Sequence, residues 1–158
     1  MATRIEIDGW RSNLHFSACH AIPKRGKCER FHGHTYALHI KIHGKQDKTG
    51  VIYDFTDIKQ VAADIIEELD HKIIIPTGNK SIKLSVKKEV ELIVDSKRYV
   101  FPKEDVAFID APSSTAEDIA DYILGKLLER IDFPSNISEV EVGVDEGWGQ
   151  GAWTGKKL

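Results

Sequence analysis

The sequence predicts one α+β domain, residues 1–158, and three observations predict it. Two segments alternate apolar and polar residues with the period of two that a half-buried strand requires. Two later segments carry apolar residues at the 3.6-residue period of a helix. The order strand, strand, helix, hairpin, helix, strand separates the helices on a mostly antiparallel sheet, unlike the regular alternation of a doubly wound fold.

In the first strand Leu14, Phe16, Ala18 and His20 share one face, and His15, Ser17 and Cys19 share the other. Pro23, Gly26 and the charges between them make 22–27 a loop. In the second strand His32, His34, Tyr36, Leu38, Ile40 and Ile42 lie together on the face that the apolar residues mark as buried. Thr35, Ala37, His39, Lys41 and His43 lie opposite. Residues 44–50 form a turn and 51–55 a short extended stretch. The first helix follows from Ile58, Val61, Ala62, Ile65, Ile66 and Leu69, with Thr56 or Asp57 as cap and its end near Asp70 and His71. An inserted β-hairpin is expected over about 82–101, turning at Asp95–Lys97. Thr115 caps a second helix that buries Ile119, Ile123, Leu127 and Ile131, with Glu117 and Asp118 favoured in its first turn by the helix dipole. A last strand, 139–144, leads into a glycine-rich tail from Gly147.

Composition narrows the function. Hydrophobic residues make up 41% and charged residues 30% of the chain, an ordinary balance for a globular domain. A formal charge of -3 with both signs interspersed argues against a nucleic-acid binder. No apolar run reaches the roughly 18 residues that a membrane helix needs. The two cysteines suggest no disulfide framework, and the first residues carry no apolar leader, so a reducing cytoplasmic setting is expected.

The chemistry concentrates in Cys28-Glu29-Arg30-Phe31-His32-Gly33-His34. On a strand, His32 and His34 point the same way, roughly 6.5–7 Å apart. Antiparallel pairing brings His20 alongside. Three neutral imidazoles without an obvious fourth protein ligand describe a catalytic zinc site with an open position. His15, His39 and His43 face the other way and read as ordinary strand histidines. Cys28 sits in the preceding loop, where Lys24, Arg25, Lys27 and a nearby cation favour a thiolate able to take a proton. Cys19 reads as a small packing residue. Asp70 beside His71 is either an acid–base pair or a helix terminus interacting with the dipole. Glu146 is either an acceptor for a bidentate, guanidine-like ring edge or an exposed acid.

In this order the segments resemble the 6-pyruvoyltetrahydropterin synthase / 6-carboxytetrahydropterin synthase family. The motifs are Phe16-Ser17-Ala18-Cys19-His20, then Cys28 through His34, Gly50-Val51-Ile52-Tyr53-Asp54-Phe55, Leu69-Asp70-His71-Lys72, Ser114-Thr115-Ala116-Glu117 and Val144-Asp145-Glu146. The resemblance implies a tunnelling fold (T-fold), an antiparallel sheet with two helices packed on one face. It implies trimers stacked into a homohexamer with active sites between subunits. It also implies Zn2+ on His20, His32 and His34, catalysis by Cys28, Asp70 and His71, and a pterin anchored by Glu146 and residues near Thr115. The implied substrate is 7,8-dihydroneopterin triphosphate. The implied product is 6-carboxy- or 6-pyruvoyl-tetrahydropterin, for deazapurine (queuosine- or archaeosine-type) or pterin biosynthesis. Glu29 complicates the product, because the motif also satisfies E-x-x-H-G-H. In similar proteins a glutamate here goes with aldolase-like cleavage to 6-hydroxymethyl-7,8-dihydropterin. Otherwise Glu29 is a solvated acid balancing Arg30. A non-catalytic pterin-binding subunit is the remaining alternative, against which the intact Cys28, Asp70 and His71 weigh.

Overall fold

A computed structural model describes residues 3–158. In chain order it carries β1 (Thr3–Ile7), β2 (His15–His20), β3 (His32–Gly44), α1 (Phe55–Glu67), β4 (Lys72–Pro76), β5 (Ile82–Val86), β6 (Glu89–Val94), β7 (Lys97–Pro102), β8 (Val106–Ile109), α2 (Ala116–Arg130), β9 (Ile137–Glu146) and β10 (Gly151–Lys157). Seven strands form the main sheet in the order β10-β9-β3-β2-β4-β8, and β1 pairs with the far end of β3. Pairing is antiparallel except for β4, which runs parallel to both β2 and β8.

Strand β3 organises this sheet because it is long enough to be shared. Its first half pairs with β2 and places His20 opposite His32 and Ala18 opposite His34. Its second half pairs with β1, and β9 runs along the other edge. The alternation expected from the sequence holds. Phe16, Tyr36, Leu38, Ile40 and Ile42 are buried with Val140, Val142 and Val144 beneath Ile58, Ala62 and Ile65 of α1 and Ile119, Ile123 and Leu127 of α2. Full burial of one such aliphatic side chain contributes about 1.5–3 kcal/mol.

Several expectations need correction. The cap of α1 is Asp54, not Thr56 or Asp57: its carboxylate accepts from the Thr56 backbone N–H at 2.6 Å because the helix begins at Phe55. Residues 51–54 bend rather than extend. Helix α1 closes at Glu67, and Asp70 and His71 lie in the turn beyond it, where His71 takes the left-handed conformation (φ 56°). The segment expected as a hairpin has three strands, β5 to β7, because a tight turn at Lys87 and Lys88 lacks the glycine, proline or asparagine that announces one. These strands form a separate small sheet whose Val90 and Leu92 cluster with Ile75 of β4, with Phe31, Tyr99 and Phe101 packed against them. The glycine-rich tail is not irregular either: after a turn through Gly147 and Gly149 (φ 83° and 81°) it returns as β10 along β9. Gly143 makes that return possible, since a Cβ there would stand 2.5 Å from the Trp153 ring.

Candidate metal centre and active site

Three imidazoles converge where β2 ends and β3 begins. The ring centroids of His20, His32 and His34 are 4.7, 4.9 and 5.2 Å apart, and one ligating atom from each lies within 4.8 Å of the others. Alternation along paired strands produces this without distortion, because residues i and i+2 of β3 face the same side as His20 of β2. Backbone carbonyls fix two of the tautomers. The Nδ1–H of His20 donates to Ser114 O at 2.6 Å, and that of His32 donates to Arg30 O at 2.7 Å, which leaves each Nε2 with a free lone pair. Nε2 of His20 and of His34 are buried without a hydrogen-bond partner. Orphaned, converging acceptors of this kind are costly unless something binds them, and a divalent transition metal fits the donor set.

Burial holds the His20 ring below its ordinary pKa; the Ser114 carbonyl and the Glu146 carboxylate oppose that, while His32 and His34 add to it. The neutral, ligating form is therefore favoured. Tyr36 sits beneath the triad, its hydroxyl 3.3 Å from His20 Nδ1 and 3.5 Å from Glu146 Oε1. Burial first, and then the charge and hydrogen bond of Glu146, push its phenol well above the usual range, so it stays protonated as a donor.

Beside the triad opens a cavity of about 390 Å³ lined by Arg25, Cys28, Thr115, Glu117, Glu146 and Gln150, among others. Glu146 both lines this cavity and touches the triad, its Oε1 3.3 Å from His20 Nε2 and 3.5 Å from His34 Nε2. Thr115 caps α2 as expected, accepting from Asp118 N. Cys28 is exposed in a 3-10 turn, Gly26–Glu29, whose loop is closed by Ile22 N donating to Cys28 O at 2.7 Å. Of the three loop cations only Arg25 reaches the cavity wall. Glu29 turns away toward β7 and pairs with Lys97 at 2.8 Å.

Asp70 and His71 stand elsewhere. Asp70 accepts from Ser17 N at 2.7 Å and holds His71 Nδ1 at 2.7 Å, while the His71 ring projects into solvent. The cavity His71 lines is bounded by Ala18 and His34 and also by Ser17, Cys19, Gly33 and Thr35, which alternation puts on the sheet face opposite the triad. On that face His39 pairs with Asp145 and His43 with Glu141. Partial burial pushes the Asp70 carboxyl upward, but the Ser17 N–H and then His71 outweigh it and hold the group below its ordinary 3.8. A depressed folded-state value stabilises the fold fully above the unfolded value and loses that contribution as pH falls through the folded one. Asp70→Asn is therefore expected to lower the melting temperature at about pH 7 and to converge with wild type near pH 2, read by thermal denaturation.

Sequence reasoning missed Tyr36, Ser114 and Gln150. Tyr36 is indistinguishable from a core aromatic until its hydroxyl is placed, and Ser114 contributes only a carbonyl. Gln150 belongs to the turn before the unexpected β10.

An antiparallel-rich sheet backed by two helices, with three converging imidazoles beside a cavity-lining carboxylate, defines a T-fold protein equipped for a metal. The sequence profile described as 6-pyruvoyl tetrahydropterin synthase matches residues 10–154, and the chain belongs to that family. A protein of Methanocaldococcus jannaschii, provisionally named 6-carboxy-5,6,7,8-tetrahydropterin synthase, is 34% identical over 98% of this chain and 97% of its own. The crystal structure of the Plasmodium vivax 6-pyruvoyl tetrahydropterin synthase superposes with a TM-score of 0.92 at 26% identity, covering 100% of this chain and 99% of that one. Two variants of that synthase replace, by alanine and by cysteine, a glutamate described as a catalytic residue. A dihydroneopterin monophosphate aldolase of Pyrococcus furiosus is 39% identical over 36% of this chain and 48% of its own. Among the described residues no helix is long and apolar enough to cross a membrane.

Proposed function

We propose that the chain is a zinc-dependent lyase that converts 7,8-dihydroneopterin triphosphate to 6-carboxy-5,6,7,8-tetrahydropterin with loss of triphosphate and acetaldehyde, as in deazapurine biosynthesis. The observation that carries this reading is a shared carboxylate: Cys28, Thr115 and Glu146 line one space, and Glu146 also touches His20 and His34 of the converging triad. The name given to the Methanocaldococcus jannaschii relative supports the 6-carboxy product over 6-pyruvoyltetrahydropterin. His20, His32 and His34 would hold the zinc ion, which would supply Lewis acidity toward the substrate side chain.

The remaining work belongs to this chain's residues. Cys28 Sγ, exposed in the same cavity, takes a proton from the side chain. The Glu146 carboxylate accepts from the guanidine-like edge of the pterin, a pairing that fixes the ring in one orientation. Arg25, the loop cation on the cavity wall, is the candidate partner for the triphosphate. The Asp70–His71 pair returns a proton, with Asp70 orienting the ring through the 2.7 Å contact to Nδ1. His71 opens on a different cavity from Cys28, so in this reading the active site joins residues of neighbouring subunits, in the homohexamer of stacked trimers that the resemblance implies.

A second reading is supported by the Pyrococcus furiosus aldolase and by the catalytic glutamate of the Plasmodium vivax synthase. In it Glu29 serves as base for cleavage to 6-hydroxymethyl-7,8-dihydropterin. Incubation of the zinc-loaded protein with dihydroneopterin triphosphate, followed by mass analysis, separates the two. Cys28→Ala is expected to lower tetrahydropterin formation by about 10²–10⁴-fold, the range for a lost acid–base group, while leaving zinc bound. Absence of any pterin product from the wild-type protein would overturn both readings.

A further inference from the structure

The small sheet of β5 to β7 meets the rest of the molecule at the loop that carries Cys28 and Glu29. Phe31 packs edge-on against Tyr99 and Phe101 of β7, with ring centroids 4.8 and 5.3 Å away. Two residues before Phe31, the Glu29 carboxylate receives the Lys97 ammonium at 2.8 Å from the first position of β7. The loop is thus held to the same strand at two points, one apolar and one charged.

Cys28 and Glu29 consequently face different spaces. Cys28 lines the active-site cavity, whereas Glu29 lines a narrow cleft with Phe31, Leu92 and Tyr99. They are neighbours in a 3-10 turn, where successive side chains diverge by about a third of a turn, so pointing one residue inward turns the other away. We propose that Lys97 is a specificity-determining residue: it holds Glu29 out of the cavity, so that Cys28 is the base the substrate meets. The inference rests on the lyase reading above, with Glu29 as the base of the competing cleavage. Lys97, by hydrogen bond and by charge, also keeps the Glu29 carboxyl below its ordinary range, and the carboxylate stays ionised while it is held.

What Glu29 would do if released is simple chemistry. A carboxylate takes the proton of the side-chain hydroxyl one carbon beyond the carbon attached to the ring. That oxygen becomes an aldehyde carbonyl as the carbon–carbon bond breaks. The electron pair passes into the dihydropterin and is quenched by a proton on the ring-attached carbon, leaving a hydroxymethyl group. No oxidant or reductant is consumed. With Glu29 bound to Lys97 this base is withheld.

The test uses zinc-loaded, full-length protein and two readouts. Lys97→Met should raise the ratio of 6-hydroxymethyl-7,8-dihydropterin to tetrahydropterin product about two- to fivefold, the factor expected from breaking one partly exposed ion pair. Lys97→Arg should keep the wild-type ratio, and Glu29→Gln in the Lys97→Met protein should abolish the rise. Independently of turnover, Cys28 in a Cys19→Ser background should react with iodoacetamide about twofold or more slowly after Lys97→Met, because a nearer carboxylate disfavours the thiolate. Adding Glu29→Gln should restore the rate. An unchanged alkylation rate overturns the latch whatever the products are. Slower alkylation with an unchanged product ratio overturns Lys97 as a determinant of specificity. Slower alkylation with no pterin product from wild type or any variant leaves the latch standing and overturns the lyase reading instead.

Discussion

His32→Ala is expected to drop bound zinc from about one per chain to below about a tenth, and to lower turnover by at least about a hundredfold. The magnitude follows from the donor set. Three imidazoles with no thiolate are the minimum for a catalytic zinc site, and loss of a group that merely orients a ligand already costs about 10–100-fold in affinity or activity. His32 is the informative choice among the three. His20 is fully buried and its Nδ1–H satisfies the Ser114 carbonyl, so its removal disturbs the core as well as the metal. His32 is half-buried, and its second nitrogen touches only the Arg30 carbonyl, so the fold should survive its truncation. Circular dichroism matching wild type, together with metal analysis of the purified protein, makes the comparison clean. Zinc bound at wild-type stoichiometry in a folded His32→Ala protein would falsify the triad as the metal centre.

The triad was legible because strand alternation is a strong local signal and the pairing partner lay close in sequence. His20 and His32 stand only a loop apart, and an antiparallel pairing of neighbours needs no knowledge of the rest of the chain. The same reasoning placed Phe16, Tyr36 and Leu38 in the core and Thr115 at the cap of α2. Legibility failed where the information was not local. Strands β4 and β8 are short apolar runs that become strands only by pairing in parallel with each other and with β2, across large sequence separations. Strand β10 hid behind its glycines, of which Gly151 reflects close approach to β9 rather than irregular chain, since a Cβ there would stand 2.5 Å from Val144 O. The third strand of the small sheet hid behind a turn of two lysines. Glu29 shows the same limit at the site. Its sequence position beside Cys28 says nothing about direction, and only the contact with Lys97, 68 residues away, shows that the two side chains part.

Mixing two inactive proteins should restore activity. Cys28→Ala and His71→Ala, refolded together in equal amounts, are expected to recover about a quarter of wild-type turnover, although each alone has lost nearly all of it. The expectation comes from the position of the two residues within one chain. Cys28 lines one cavity, whereas His71 projects from the turn after α1 into another, and within one chain the two share no lining residue. If both groups serve one reaction, the His71 of one subunit must complete the site that a neighbour's Cys28 begins. With random assembly, half of the sites receive an intact cysteine and half of those receive an intact histidine, which sets the quarter. A site contained within one chain predicts no recovery, because every subunit would carry one defect. The measurement is product formation by the co-refolded mixture against each variant refolded alone, with size-exclusion chromatography showing that the mixture assembles. Activity of the mixture no higher than the mean of the separate variants would place both groups in a single subunit's site, or remove one of them from the reaction.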